Sequence, residues 1–110
     1  MPIAIDCRYR PGGAEDRLAI RDIHLEYMIA NKPRVIAGGA AMQGSRVVGM
    51  YLLLATGEMA EAEAFLDQEP YTRAGLFAEV RKTFYEGYIP EPHEGFLAGL
   101  LEAARASIGR

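Results

Sequence analysis

The chain has 110 residues, half of them apolar and a quarter charged, with a formal net charge of −3. That size and balance fit one globular domain with a modest core, and exclude a disordered chain or a broadly basic nucleic-acid surface. The single cysteine, Cys7, excludes an intramolecular disulfide, and no apolar run approaches the roughly 20 residues that span a bilayer.

The start, Met1-Pro2-Ile3-Ala4-Ile5-Asp6, has neither the basic head nor the apolar core of a signal peptide, so a cytoplasmic location is expected. Ile3 to Tyr9 reads as a short strand with Cys7 as a small buried hydrophobe. Arg10-Pro11-Gly12-Gly13 breaks it, and a helix is expected from Ala14 to Ala30, with Glu15 and Asp16 in the first turn. Asn31-Lys32-Pro33 ends that helix, because a residue before proline avoids helical geometry. Arg34 to Gly38 suits a second strand, with Met42-Gln43-Gly44-Ser45 as the following turn. The third strand, Arg46 to Ala55, is apolar without alternation, so it is expected to be covered on both faces. Helices in so small a chain cover one face, and a second copy of the chain is the simplest cover for the other.

Thr56 is the expected N-cap of a helix from Met59 to Gln68, whose inner face is either Ala60, Ala64 and Phe65 or Met59, Ala62 and Leu66. Pro70 ends it, Tyr71 to Gly75 forms a link, and Leu76 to Tyr85 alternates as a fourth strand. The order β-α-β-β-α-β predicts a ferredoxin-like α+β fold with an antiparallel four-stranded sheet. Residues 1–86 make this domain, and residues 87–110 form a linker and a C-terminal helix from His93 to Ser107. Phe96, Leu97, Leu100, Leu101 and Ala104 give that helix one apolar stripe, which must dock on its own domain or on a partner.

The first helix carries the strongest chemical signal. At about 100° per residue, Arg17, Arg21, His24 and Met28 share one stripe, in the place that apolar residues normally hold. Polar groups there line a hydrated pocket or meet specific partners, because burying them unpaired is costly. Histidine suits proton transfer near neutral pH, and paired arginines suit an anionic substrate or a developing oxyanion. The structural alternative has Arg17 in solvent, Arg21 on a structural carboxylate and His24 donating to a backbone carbonyl. Asp67 and Glu69 end a helix against its dipole, which a nearby cation such as Arg21 or His24 would relieve; otherwise they are solvated loop acids. The stretch from Gly38-Gly39 to Gly44-Ser45 lacks a nucleotide-binding pattern, and its glycines serve turns, a bulge or the close approach of a ligand. His24 and His93 are too far apart for helical metal-ligand spacing, so neither a metal nor another cofactor is expected.

Together these residues resemble the YCII-related (YciI-like) family. The resemblance rests on Arg17-(x3)-Arg21-(x2)-His24-Leu25, Ala37-Gly38-Gly39, Gly44-Ser45, Ala62-x-Ala64-Phe65 and Glu69-Pro70-Tyr71-(x2)-Ala74-Gly75-Leu76-Phe77, over residues 3 to 85. It implies a dimeric α+β barrel in which the sheets of two copies face each other, with a homodimer or higher homo-oligomer as the assembly. It also implies His24 and an acidic residue, here Glu69, as a catalytic pair; Arg17, Arg21, Gly38, Gly39 and Tyr71 are the residues expected to bind substrate. One branch of the family removes chloride from a chlorinated hydroxyquinone. Two positions depart from the family pattern. Glu69 stands where Asp is usual, and Gly38-Gly39 where Gly-Pro is common, so the longer reach of Glu69 toward His24 is the geometry to examine.

The expectation is a cofactor-independent lyase or isomerase acting on a small anionic or hydroxylated cyclic compound, with no membrane or nucleic-acid partner. A non-catalytic small-ligand-binding or oligomeric module is the alternative, and a cofactor-free monooxygenase is a third reading.

Overall fold

The computed structural model describes residues 1–109. Strand β1 (Ile3–Tyr9) is followed by a short helix α1 (Gly13–Asp16), a 3-10 turn (Arg17–Ile20) and helix α2 (Arg21–Ala30). Next come β2 (Val35–Gln43), β3 (Arg46–Leu54), α3 (Met59–Gln68), α4 (Pro70–Arg73), β4 (Phe77–Phe84) and α5 (Phe96–Ile108). The sheet order is β2-β3-β1-β4, with every neighbouring pair antiparallel. This is the ferredoxin-like arrangement, in which two βαβ halves interleave.

The helices cover one face of the sheet. Ile3, Ile5 and Cys7 of β1 and Met50, Leu52 and Leu54 of β3 point into that layer and meet Ala62, Phe65 and Leu66 of α3. Strand alternation sends Ala4, Asp6 and Arg8 to the opposite face, where Arg8 bonds Asp6 (2.8 Å) and the hydroxyl of Tyr51 (2.5 Å). Cys7 is fully buried, and burial first, then the charges of Glu69 and Asp6, push its thiol up to about 12.

Four expectations need correction. The helix expected from Ala14 to Ala30 is broken, because a 3-10 turn spans Arg17–Ile20 and Ile20 leaves helical geometry at φ −128°. A 3-10 turn advances about 120° per residue rather than 100°, so Arg17 to Met28 is not one regular helical stripe, although Arg17, Arg21 and Met28 still line one cavity. The apolar residues flanking it are largely exposed, and His24 is the only buried residue of α2. Second, the glycine-rich stretch is strand rather than loop. β2 runs through Gly38 to Gln43, and only Gly44-Ser45 turns, with Gly44 at φ +61° in the first loop position that favours glycine. Third, Glu58 rather than Thr56 is the N-cap of α3; the Thr56 hydroxyl accepts from the Glu58 amide and donates to Glu61. The inner face of α3 is Ala62, Phe65 and Leu66 with Met59 half-buried, while Ala60 and Ala64 are exposed. Fourth, α5 begins at Phe96, three residues later than expected, behind Gly95 at φ +82°, and none of its described residues is buried.

Candidate active site

Glu69 is placed by the proline that follows it. A residue before proline is held out of the helical region, and Glu69 adopts φ −69°, ψ 125°. It therefore closes α3 and serves as the N-cap of α4, whose first residue is Pro70. Its Oε2 accepts from the Thr72 amide (2.9 Å) and the Thr72 hydroxyl (3.1 Å). The other oxygen, Oε1, reaches Nδ1 of His24 at 2.5 Å. The longer side chain thus allows one carboxylate both to cap a helix and to hold the histidine. Rather than opposing the dipole of α3 from a solvated loop, Glu69 is fully buried at the start of the next helix; Asp67 is the exposed acid.

Burial is the largest influence on this carboxyl and pushes it up. The hydrogen bonds from His24 and from the Thr72 and Tyr71 amides, with the histidine's charge, outweigh burial and hold it below its ordinary 4.5. An ionised Glu69 has no hydrogen to give, so Nδ1 of His24 donates to it, and the one nitrogen that can offer a lone pair as a base is Nε2. Among the described residues Nε2 has no hydrogen-bond partner, yet every fully buried side-chain nitrogen or oxygen has one. Nε2 is therefore open to solvent or to a ligand. Tyr71 lies flat against the imidazole, with centroids 3.9 Å apart and planes 7° apart, and Tyr9 and Phe77 pack around Tyr71.

Beside this pair is a cavity of about 600 Å³ between α2 and strands β2 and β3. Arg17, Arg21, Gly38, Gly39 and Tyr71 all line it. His24 does not; the ring of Tyr71, stacked on it, forms that part of the wall. The 3-10 turn breaks the helical stripe, but both arginines still reach one cavity. Arg17 donates to the Ala14 carbonyl (2.9 Å), and neither arginine has a carboxylate partner among the described residues. A Cβ on Gly38 would meet Cδ2 of Leu52 at 2.9 Å, whereas one on Gly39 would point into open space.

Sequence reading missed Lys32, Tyr9, Leu25 and Met28 as lining residues, and Thr72 as the donor that fixes Glu69. Thr72 was detectable, since an N-cap side chain bonds the amide two or three residues on. Lys32 belongs to a turn whose direction the sequence does not reveal. His93 is exposed, and its one hydrogen bond is to its neighbour's carbonyl. Among the described residues no group of three or more His, Cys, Asp or Glu side chains is placed to hold a metal.

A ferredoxin-like domain with a buried His–Glu pair beside a cation-lined cavity defines the class. The chain belongs to the YCII-related domain family, whose profile matches residues 1–83. Among solved structures it is similar to 5-chloro-2-hydroxyhydroquinone dehydrochlorinase from Burkholderia phenoliruptrix AC1100, determined in complex with 2,5-dihydroxybenzoquinone. The TM-score is 0.73 at 26% identity, over 83% of this chain and 99% of that one. Protein Atu4242 from Agrobacterium tumefaciens shares the fold, with a TM-score of 0.53 at 16% identity over 84% of this chain and 98% of that one. No curated protein matches the chain. No helix of the described residues is long and apolar enough to cross a membrane.

Proposed function

We propose that this protein is a cofactor-independent lyase or isomerase that moves a proton on a small anionic or hydroxylated cyclic compound. The observation that carries this reading is the direct contact of His24 with a fully buried, ionised Glu69. Glu69 fixes the tautomer, so Nε2 is the base that takes a proton from a ring hydroxyl or an adjacent carbon. The electron pair released then moves through the ring, and either expels a leaving anion or collects a proton elsewhere from His24. Arg21 and Arg17 hold the oxygen on which negative charge develops. Gly38 and Gly39 leave room for the ring, and Tyr71 forms the cavity wall against His24. The dehydrochlorinase similarity supports a hydroxylated ring as the substrate class.

The reading includes a homodimer. The outer face of the sheet exposes Tyr51 and half-buries Leu53, and a second cavity of about 570 Å³ opens there against Gly38 and Gly39. A second copy would cover that face.

Chloride release from 5-chloro-2-hydroxyhydroquinone, and binding of 2,5-dihydroxybenzoquinone, test the proposal. Turnover that disappears in His24→Gln while binding persists supports it. One observation favours binding without turnover: Tyr71 rather than His24 forms the cavity wall. Tight binding that is the same in wild type and His24→Gln, with no turnover in either, would select that second reading.

A further inference from the structure

The C-terminal helix is the largest element that this site leaves unused. Leu97, Leu100, Leu101, Ala104 and Ile108 lie on one stripe of α5, at the spacing of an amphipathic helix. Leu100, Leu101 and Ile108 are 41, 49 and 55% exposed. A contiguous apolar stripe in water marks an interaction surface. The family match stops at residue 83, so α5 lies outside the matched region.

A complementary surface is present on the same chain. Leu25, Ile29 and Ile36 rim the main cavity between α2 and the edge strand β2, and are 42, 67 and 55% exposed. The lengths are comparable: at 1.5 Å per residue the 13 residues of α5 make about 20 Å and the 10 residues of α2 about 15 Å. The charges also agree. The cavity is lined by Arg17, Arg21 and Lys32 and by no carboxylate. From Thr83 to Ala104 the chain carries Glu86, Glu91, Glu94 and Glu102 and no Lys or Arg. The segment leaves from β4, the sheet edge opposite β2, and the molecule measures 57 Å along its long axis against 29 and 21 Å.

We propose that α5 docks along the groove between α2 and β2 of a second copy of this chain, with its acidic lead-in facing the cationic rim. Each copy then covers the mouth of the other's cavity, the helix-in-groove mode of recognition.

Full-length chains carrying Ile29→Cys or Leu101→Cys test this directly, with Cys7 retained because it is fully buried. After mixing and oxidation, the proposal expects a disulfide-linked heterodimer on a non-reducing gel. It should be at least tenfold more abundant than with Ala106→Cys, which sits on the opposite side of α5. Adding Leu100→Asp to the Leu101→Cys chain should abolish the excess. Equal cross-linking from both sides of α5, or none while circular dichroism shows folded chains, overturns the proposal. So does an Ile29→Cys/Leu101→Cys double variant that closes its disulfide only within a monomer, since α5 would then cover its own groove.

Discussion

Glu69→Gln perturbs the site at its centre with almost no change in volume. In the wild type one carboxylate accepts from His24 Nδ1, the Thr72 amide and the Thr72 hydroxyl. A glutamine can keep its carbonyl oxygen on the two Thr72 donors, which leaves its NH2 facing Nδ1. The imidazole must then accept at Nδ1 and carry its hydrogen on Nε2, the wrong tautomer for a base. Losing a general base costs about 10²–10⁴-fold in rate. The fold should lose less than the roughly 3–5 kcal/mol of a broken buried ion pair, because the histidine can stay neutral. The glutamine keeps all three hydrogen bonds but without their charge assistance, a loss of about 1–3 kcal/mol in all, and each kcal/mol lowers Tm by about 4–8 °C in a chain of this size. Chloride release, thermal unfolding and the histidine ¹⁵N shifts read the three consequences separately. A Glu69→Gln protein with wild-type turnover, or with its hydrogen still on Nδ1, would refute the reasoning.

Acid should destabilise the protein through the same group. Because Glu69 titrates below 4.5 when folded, its contribution is complete above pH 4.5 and is lost as pH falls through the folded value; urea melts at falling pH should show this slope, flattened in Glu69→Gln. Tyr71→Phe keeps the ring on His24 and should melt within a few degrees of wild type, whereas Tyr71→Ala removes a buried aromatic and should cost about 3–5 kcal/mol in denaturant melts. Arg21→Ala should weaken binding of 2,5-dihydroxybenzoquinone about tenfold, measured by calorimetry, with little change in Tm because Arg21 is exposed. Gly49→Ala should prevent stable folding, since its Cβ would collide with the Cys7 carbonyl oxygen across the β1–β3 ladder, while Gly39→Ala meets open space and should leave the circular dichroism melt unchanged.

The order of strands and helices was legible because a period-two pattern survives in β1 and a period-3.6 pattern in α3, whereas in β4 a register shift near Ala78 turns both Phe77 and Val80 toward the core. His24, Arg17 and Arg21 drew notice for a different reason, as polar residues where burial was expected, whereas Glu69 stood out as an acid ending a helix against its dipole and through the family resemblance. What sequence did not reveal depended on contacts between distant segments. The helix is interrupted at Arg17–Ile20, where local patterning showed no break, yet Arg17, Arg21 and Met28 still line one cavity. The second strand was expected to close at Gly38-Gly39 because glycine weakens strands, but pairing with β3 carries β2 on to Gln43. The double duty of Glu69 follows from Pro70, which ends one helix and begins the next, and local patterning did not show which way its carboxylate would point.

The central claim is that His24 transfers protons to and from a bound hydroxylated ring. Its most direct test is the exchange of the ring hydrogens of 2,5-dihydroxybenzoquinone in D2O, followed by proton NMR with catalytic amounts of protein. Exchange should be at least about 10²-fold faster with wild type than with His24→Gln, both chains binding the compound. Equal exchange rates in the two proteins, with the compound bound, would contradict it.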